Sequence, residues 1–158
     1  MVGGRTPHGR GRSASRRLDR ATYDIAHGRF EQSLSGLTAV AAVITSAEIF
    51  IEHYRASFGN KMMWSPILVA VPVVVSGIGG VFSRRWARRA LPAASALYIL
   101  DGLVGEYLHG RGIHRRPGGW HEAAYNVPMG PPIVAPGLMT IVGAMGVLAA
   151  LLRREEDA

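Results

Sequence analysis

The sequence predicts an all-α protein, a four-helix transmembrane bundle with both termini cytoplasmic. Three observations carry this. Four apolar runs lie at about 32–53, 65–83, 90–109 and 132–152, each close to the roughly 20 residues that cross a bilayer as a helix. The charges sit at the ends of those runs rather than along a polar face. Their distribution is lopsided: seven Lys/Arg precede the first run, four lie between the second and third (Arg84, Arg85, Arg88, Arg89) and two follow the last, against five in the other connections (Arg55, Lys61, Arg111, Arg115, Arg116). By the positive-inside rule the richer side faces the cytoplasm of a plasma (inner) membrane. The connections at 54–64 and 110–131 then face outward.

Composition narrows the reading further. A length of 158 residues suits one domain. The net charge of +7 would suit nucleic acid, but no basic face gathers it, so lipid rather than nucleic acid is the expected partner. Without cysteine there is no disulfide framework, thiolate metal site or thiol chemistry. The first apolar run starts too late and runs too long for a cleavable signal peptide.

Residues 1–31 read as a basic tail. Its first half lacks periodicity and is expected to be disordered, with an affinity for anionic headgroups of about 1 kcal/mol per basic residue. Residues 17–31 suit a short interfacial helix, and His8 and His27 read as surface residues. Residues 32–152 form the membrane domain and 153–158 a charged tail.

In the first span Thr38, Ala41, Thr45, Glu48 and Glu52 share one face, with His53 beside it. Glu48 lies about 6–7 Å deeper than Glu52 and His53 at 1.5 Å per residue. The second span starts at Trp64 and Pro66 and offers glycines for close packing but no chemistry. Met62 and Met63 at its mouth are soft-ligand candidates or interfacial residues. The Arg84–Arg89 connection is a positive-inside stop, and Pro92 falls in the first turns of the third span, where a missing amide costs least. On that third span Tyr98, Asp101, Gly102, Gly105, Glu106 and His109 gather on one face. The outer connection is about twenty residues long, with few signs of regular structure, and reads either as a lid or as a disordered loop. Trp120 and Tyr125 suit the headgroup level. The fourth span is rich in Met, Gly and Ala, with Thr140 as its only polar side chain.

Spans one and three run in the same direction. Aligning Tyr54 with Gly110 puts His53 level with His109, Glu106 between Glu48 and Glu52, and Asp101 one turn below Glu48. Ionisable groups inside a span are costly and read by default as a functional site facing the bundle interior. The leading expectation is a metal site built from Glu48, Glu52, Glu106 and His109, with His53 and Asp101 as further ligands or support. His114, His121 and Glu122 are outer-loop candidates. Carboxylate with imidazole suits iron, manganese or zinc, and a redox role beside a larger membrane or redox complex is the next step. The first alternative is haem b held axially by His53 and His109 in an electron-transfer subunit, with Gly102 and Gly105 leaving room for the macrocycle. The second is a non-catalytic structural subunit of a membrane complex, whose polar groups satisfy one another; a homo-oligomer is a further assembly considered. Proton translocation has less support, because the inner half of every span reads as free of acids and histidines. Arg111, Arg115 and Arg116 suit an anionic substrate or a lipid phosphate. No Ser-His-Asp order, phosphate loop or dinucleotide fingerprint is present, so no enzymatic reaction is assigned.

Two resemblances accompany these residues. Glu106 and His109 form Glu-x-x-His, partly similar to the unit that di-iron carboxylate bundles use in pairs; here spans two and four supply no matching glutamates. The run from His109 to Gly130, with Arg-Gly-Ile-His-Arg-Arg-Pro-Gly-Gly-Trp and Tyr-Asn-Val-Pro-Met-Gly-Pro-Pro, resembles uncharacterised small four-span membrane proteins of bacteria. That second resemblance implies the membrane fold and no active residue.

Overall fold

The computed structural model describes residues 19, 22–23 and 29–151. The basic segment 1–16, His8, His27 and the tail 153–158 lie outside the described residues. All regular structure among the described residues is helical: α1 (Arg29–Arg55), α2 (Ser65–Phe82), α3 (Leu91–His114), a four-residue α4 (Ala123–Asn126) and α5 (Val134–Leu151). Three stretches, Phe30–Arg55, Lys61–Phe82 and Val134–Leu151, are long and apolar enough to cross a membrane. The third long helix, α3, carries Asp101 and Glu106 and is less apolar by composition.

The side chains are distributed inside out relative to a soluble protein. Leu37, Val40, Ile44, Leu68, Leu100 and Ile141 face outward, while Ser35, Thr38, Ala42, Ser76, Ser95 and Gly146 are buried. An apolar surface this extensive on the outside has lipid as its natural solvent. Helix α1 packs on α2 and α5, and α3 packs on α5 and α2. Helices α1 and α3 therefore lie across from one another, with α2 and α5 between them.

Small residues set the spacing. A Cβ on Gly77 would stand 2.8 Å from the Ser35 carbonyl oxygen and 2.9 Å from the Ala39 Cβ, so α1 and α2 cross where α2 has no side chain. A Cβ on Gly102 would meet the Pro136 carbonyl oxygen at 2.9 Å, which closes α3 onto α5 in the same way. Close backbone approach of this kind holds helices together where the solvent is as apolar as the side chains.

The connections are more regular than their composition suggests. Helix α2 stops at Ser83, whose extended backbone (φ −140°, ψ 120°) breaks it. The chain then turns helical again at once, through a π-helical turn at Trp86–Ala90 directly before α3. Pro92 lacks an amide and its ring crowds the carbonyl four residues back; the widened turn accommodates both. Helix α3 extends five residues past its expected end, because Ile113 is wholly buried under the outer connection and Gly112 lies against Pro131.

The 110–131 connection is folded rather than disordered. It holds a 3-10 turn at Gly119–Glu122 and then α4. Asn126, 1% exposed, organises it. Its Nδ2 donates to the carbonyls of Pro117 (2.9 Å) and Gly119 (2.8 Å), and its Oδ1 accepts from Arg116 Nε at 3.1 Å. Gly118 and Gly119, at φ 76° and 50°, supply the left-handed reversal that this ring of bonds requires.

Replacing Gly77 with leucine is expected to cost about 1–3 kcal/mol through overpacking, lowering the melting temperature in detergent. Gly59→Ala, where a Cβ finds ordinary contact at 3.7 Å, is expected to leave it unchanged. Equal melting of the two variants would contradict the packing described.

Candidate functional site

A cavity of about 710 Å³ lies toward the end of the molecule that carries the 54–64 and 110–131 connections, bounded by α1, α3, the start of α5 and the turn before α2. His53, Glu52, Asp101 and His109 line it, together with Met63, Pro132, Pro136 and Met139. Arg55, Arg111 and Arg115 also border it.

Each histidine is tied to backbone. His53 Nδ1 lies 2.8 Å from the Met63 carbonyl oxygen and His109 Nδ1 lies 2.6 Å from that of Pro132. A carbonyl only accepts, so Nδ1 carries the proton in both rings, and a neutral ring keeps its lone pair on Nε2. Carbonyl anchoring of one ring nitrogen is how proteins orient histidines for ligation through the other. The ring centres are 6.5 Å apart and the planes are inclined at 66°.

The turn that supplies one of those carbonyls is itself held firmly. Helix α1 ends in a left-handed reversal at Ser57 and Phe58, with φ 57° and 45°, a conformation that is uncommon for bulky residues. Phe58 pairs its amide with the His53 carbonyl at 3.0 Å, and its ring stacks on Trp64 at 4.2 Å. Asn60 Oδ1 accepts from the Met62 amide at 2.9 Å and starts the turn at Lys61–Trp64. The aromatic pair thus fixes the segment whose carbonyl aims His53.

The six residues anticipated as one metal centre are not brought together. Among the described residues no three His, Asp or Glu side chains are close enough to hold a single ion. Glu48 is exposed on the outer face of α1; five residues before His53 amounts to about 140° around the helix. Glu106 is half-buried and turned toward α5, its Oε1 3.3 Å from where a Cβ on Gly137 would stand. Glu52 reaches the cavity but pairs with Arg55 at 3.0 Å. His114, His121 and Glu122 are exposed and lie outside the cavity lining. The space directly beside Gly102 and Gly105 is taken by Thr140 and Pro136 of α5, so the open volume is the cavity beyond them rather than a slot at the two glycines.

Two residues, Glu31 and Ser35, escaped the sequence reading, which named only Thr38 and Thr45 of the buried polar row on α1. Glu31, Ser35, Thr38 and Thr45 are buried along α1. The helix is rotated so that Thr38 and Thr45 face inward while Glu48, assigned to the same face, looks out. Helix α1 also begins at Arg29, which takes Glu31 into the apolar stretch. The spacing of Glu31, Ser35, Thr38 and Thr45 was the signal, and it was obscured by starting the span at residue 32.

The chain matches no family model, no curated protein and no solved structure.

Selective ¹⁵N labelling of histidine tests the tautomers. Above pH 8, His53 and His109 are expected to show a protonated Nδ1 and a pyridine-like Nε2. The reverse tautomer in either ring would remove the carbonyl anchoring.

Proposed function

We propose that this protein is a four-span membrane protein with both termini in the cytoplasm, and that it holds haem b between His53 and His109. The placement of the two rings carries this reading. Each ring has its Nδ1 tied to a backbone carbonyl, so Nε2 is the nitrogen by which His53 and His109 would hold the group. The ring centres stand 6.5 Å apart across the cavity lining.

Two further features support it. A cavity of about 710 Å³ far exceeds the roughly 30 Å³ share of one water in the liquid and lies within the usual range for cofactor pockets. Arg111 and Arg115 stand one helical turn apart at its border, as a group with carboxylate side arms requires. When bound, the group would supply one-electron transfer. The chain's own residues then act in three ways: His53 and His109 ligate, Met63 and Pro132 aim them, and the apolar walls limit water. The positive-inside distribution of Lys and Arg supports the orientation, which sets the cavity in the outer half of the membrane.

A second reading has one observation of its own, the Asp101 carboxylate in the same cavity. It would make Asp101, His53 and His109 the donor set for a non-haem iron, manganese or zinc ion.

Purification from membranes without a histidine tag, followed by a visible spectrum and metal analysis, separates the two. The haem reading expects a Soret band at one haem per chain, lost in both His53→Ala and His109→Ala and retained in Glu48→Ala. A stoichiometric metal with no Soret band, lost in Asp101→Asn, would replace it with the second reading. Neither colour nor metal, even after adding haem or metal salts, would end both.

A further inference from the structure

The cavity is sealed on one side and open on another. Helices α2 and α3 pack together toward the Arg84–Arg89 end, where Ala70, Val73, Ala94 and Tyr98 belong to one buried cluster. Toward the other end the cavity reaches the surface between them. On α3, Val104, Leu108, Arg111 and Arg115 follow one another at i, i+4, i+7 and i+11, a single stripe along the helix. The stripe lies on the side of α3 away from Gly102 and Glu106, which meet α5. It therefore faces α2, the other long helix packed on α3.

All four residues of the stripe line the cavity, yet all four are exposed, Val104 at 47% and Leu108 at 40%. Met62, 52% exposed, and Pro66 line the same cavity from the start of α2. Side chains that are at once cavity wall and outer surface mark an opening, and this one looks sideways into the bilayer. Its character changes along the stripe. Val104 and Leu108 are apolar, and Arg111 follows Val104 by about 10 Å at 1.5 Å per residue, toward the helix end where headgroups begin. Neither the Arg111 nor the Arg115 guanidinium has a hydrogen-bond or ion-pair partner among the described residues. Arg55, the third arginine at the cavity, pairs with Glu52 at 3.0 Å and so neutralises that carboxylate of the wall.

We infer that this side opening seats an anionic phospholipid of the adjoining leaflet. Its phosphate lies between Arg111 and Arg115, whose planar forks match phosphate oxygens, and one acyl chain runs over Val104 and Leu108 into the cavity mouth. The two arginines alone would suit any small anion. The apolar slot that continues from them selects an amphiphile. A soluble anion leaves that slot unfilled, whereas an acyl chain fills it without leaving hydrocarbon. A zwitterionic lipid brings its own cation beside two guanidiniums and is disfavoured by like-charge repulsion. His53 and His109 take no part in the seat, which therefore does not rest on the haem reading. Haem carboxylates and a lipid phosphate would contend for one guanidinium pair.

The test is native mass spectrometry of the full chain in detergent, with phosphatidylglycerol and phosphatidylcholine of identical chains added in equal amounts. It is run on the parent and on His53→Ala/His109→Ala, which leaves the guanidinium pair open to lipid whether or not the haem reading holds. Phosphatidylglycerol is expected to be retained over phosphatidylcholine by about tenfold, and adding Arg111→Gln/Arg115→Gln to either protein is expected to abolish the preference. Both arginines are exposed and unpartnered, so these substitutions are expected to leave the melting temperature unchanged. Arg85→Gln/Arg88→Gln, at the opposite end, is expected to keep the preference, which separates a seat from general attraction to basic helix ends. Excess inorganic phosphate is expected to leave the lipid in place; displacement would make this a site for a free anion and overturn the lipid assignment. No preference for phosphatidylglycerol in either protein would overturn it as well, as would a preference that survives Arg111→Gln/Arg115→Gln or vanishes in Arg85→Gln/Arg88→Gln.

Discussion

In a hydrocarbon solvent apolar side chains gain nothing by leaving the surface, so helices must hold together through close contact and internal hydrogen bonds. The rest of this structure depends on that constraint. Helices α1 and α2 meet at Gly77, and α3 and α5 meet at Gly102, where an added methyl would collide with backbone atoms. The bulky residues are displaced outward as a result, and the interior is left to small and hydroxyl-bearing side chains. A polar interior is therefore a direct product of how the helices pack. It supplies the setting in which Asp101, His53 and His109 can face inward without each requiring a separate explanation.

The cavity arises where that packing ends. Toward the 54–64 and 110–131 connections the helices stop filling the axis with one another, and irregular backbone takes over the walls. Such backbone carries carbonyls that no helix satisfies, and two of them, from Met63 and Pro132, accept from the imidazoles. One polar group thus resolves the other's need: the histidines satisfy the carbonyls, and the carbonyls determine which ring nitrogen stays open. The aromatic stack of Phe58 on Trp64 protects this arrangement on the α1 side, and the Asn126 hydrogen bonds maintain the connection on the α3 side.

The sequence disclosed helix positions better than helix rotation. Apolar runs of about twenty residues set the starts and ends of the long helices to within a few residues, because length and hydropathy are local properties. The juxtaposition of His53 and His109 was legible from depth alone, since both stand near the C-terminal ends of their helices. Rotation was not. Placing Glu48 on the same inward face as Thr38 and Thr45 follows from an ideal wheel, but which arc faces the bundle is decided by Gly77, Gly80 and their partners on α1, and those are tertiary contacts. The same cause set Glu106 against α5. The folded outer connection was hidden for another reason: its order rests on Asn126 and two left-handed glycines, which in sequence look the same as the composition of a loose loop.

Both carbonyls that aim the histidines belong to the connections, while both histidines belong to helices. The membrane domain and the orientation of its site are therefore specified by separate parts of the chain. An altered residue in the 54–64 or 110–131 segment can turn an imidazole while every helix crossing stays as it was. Substitutions in these two connections can thus re-aim the histidines while one buried scaffold is kept, the division of labour seen where loops sit on rigid frameworks.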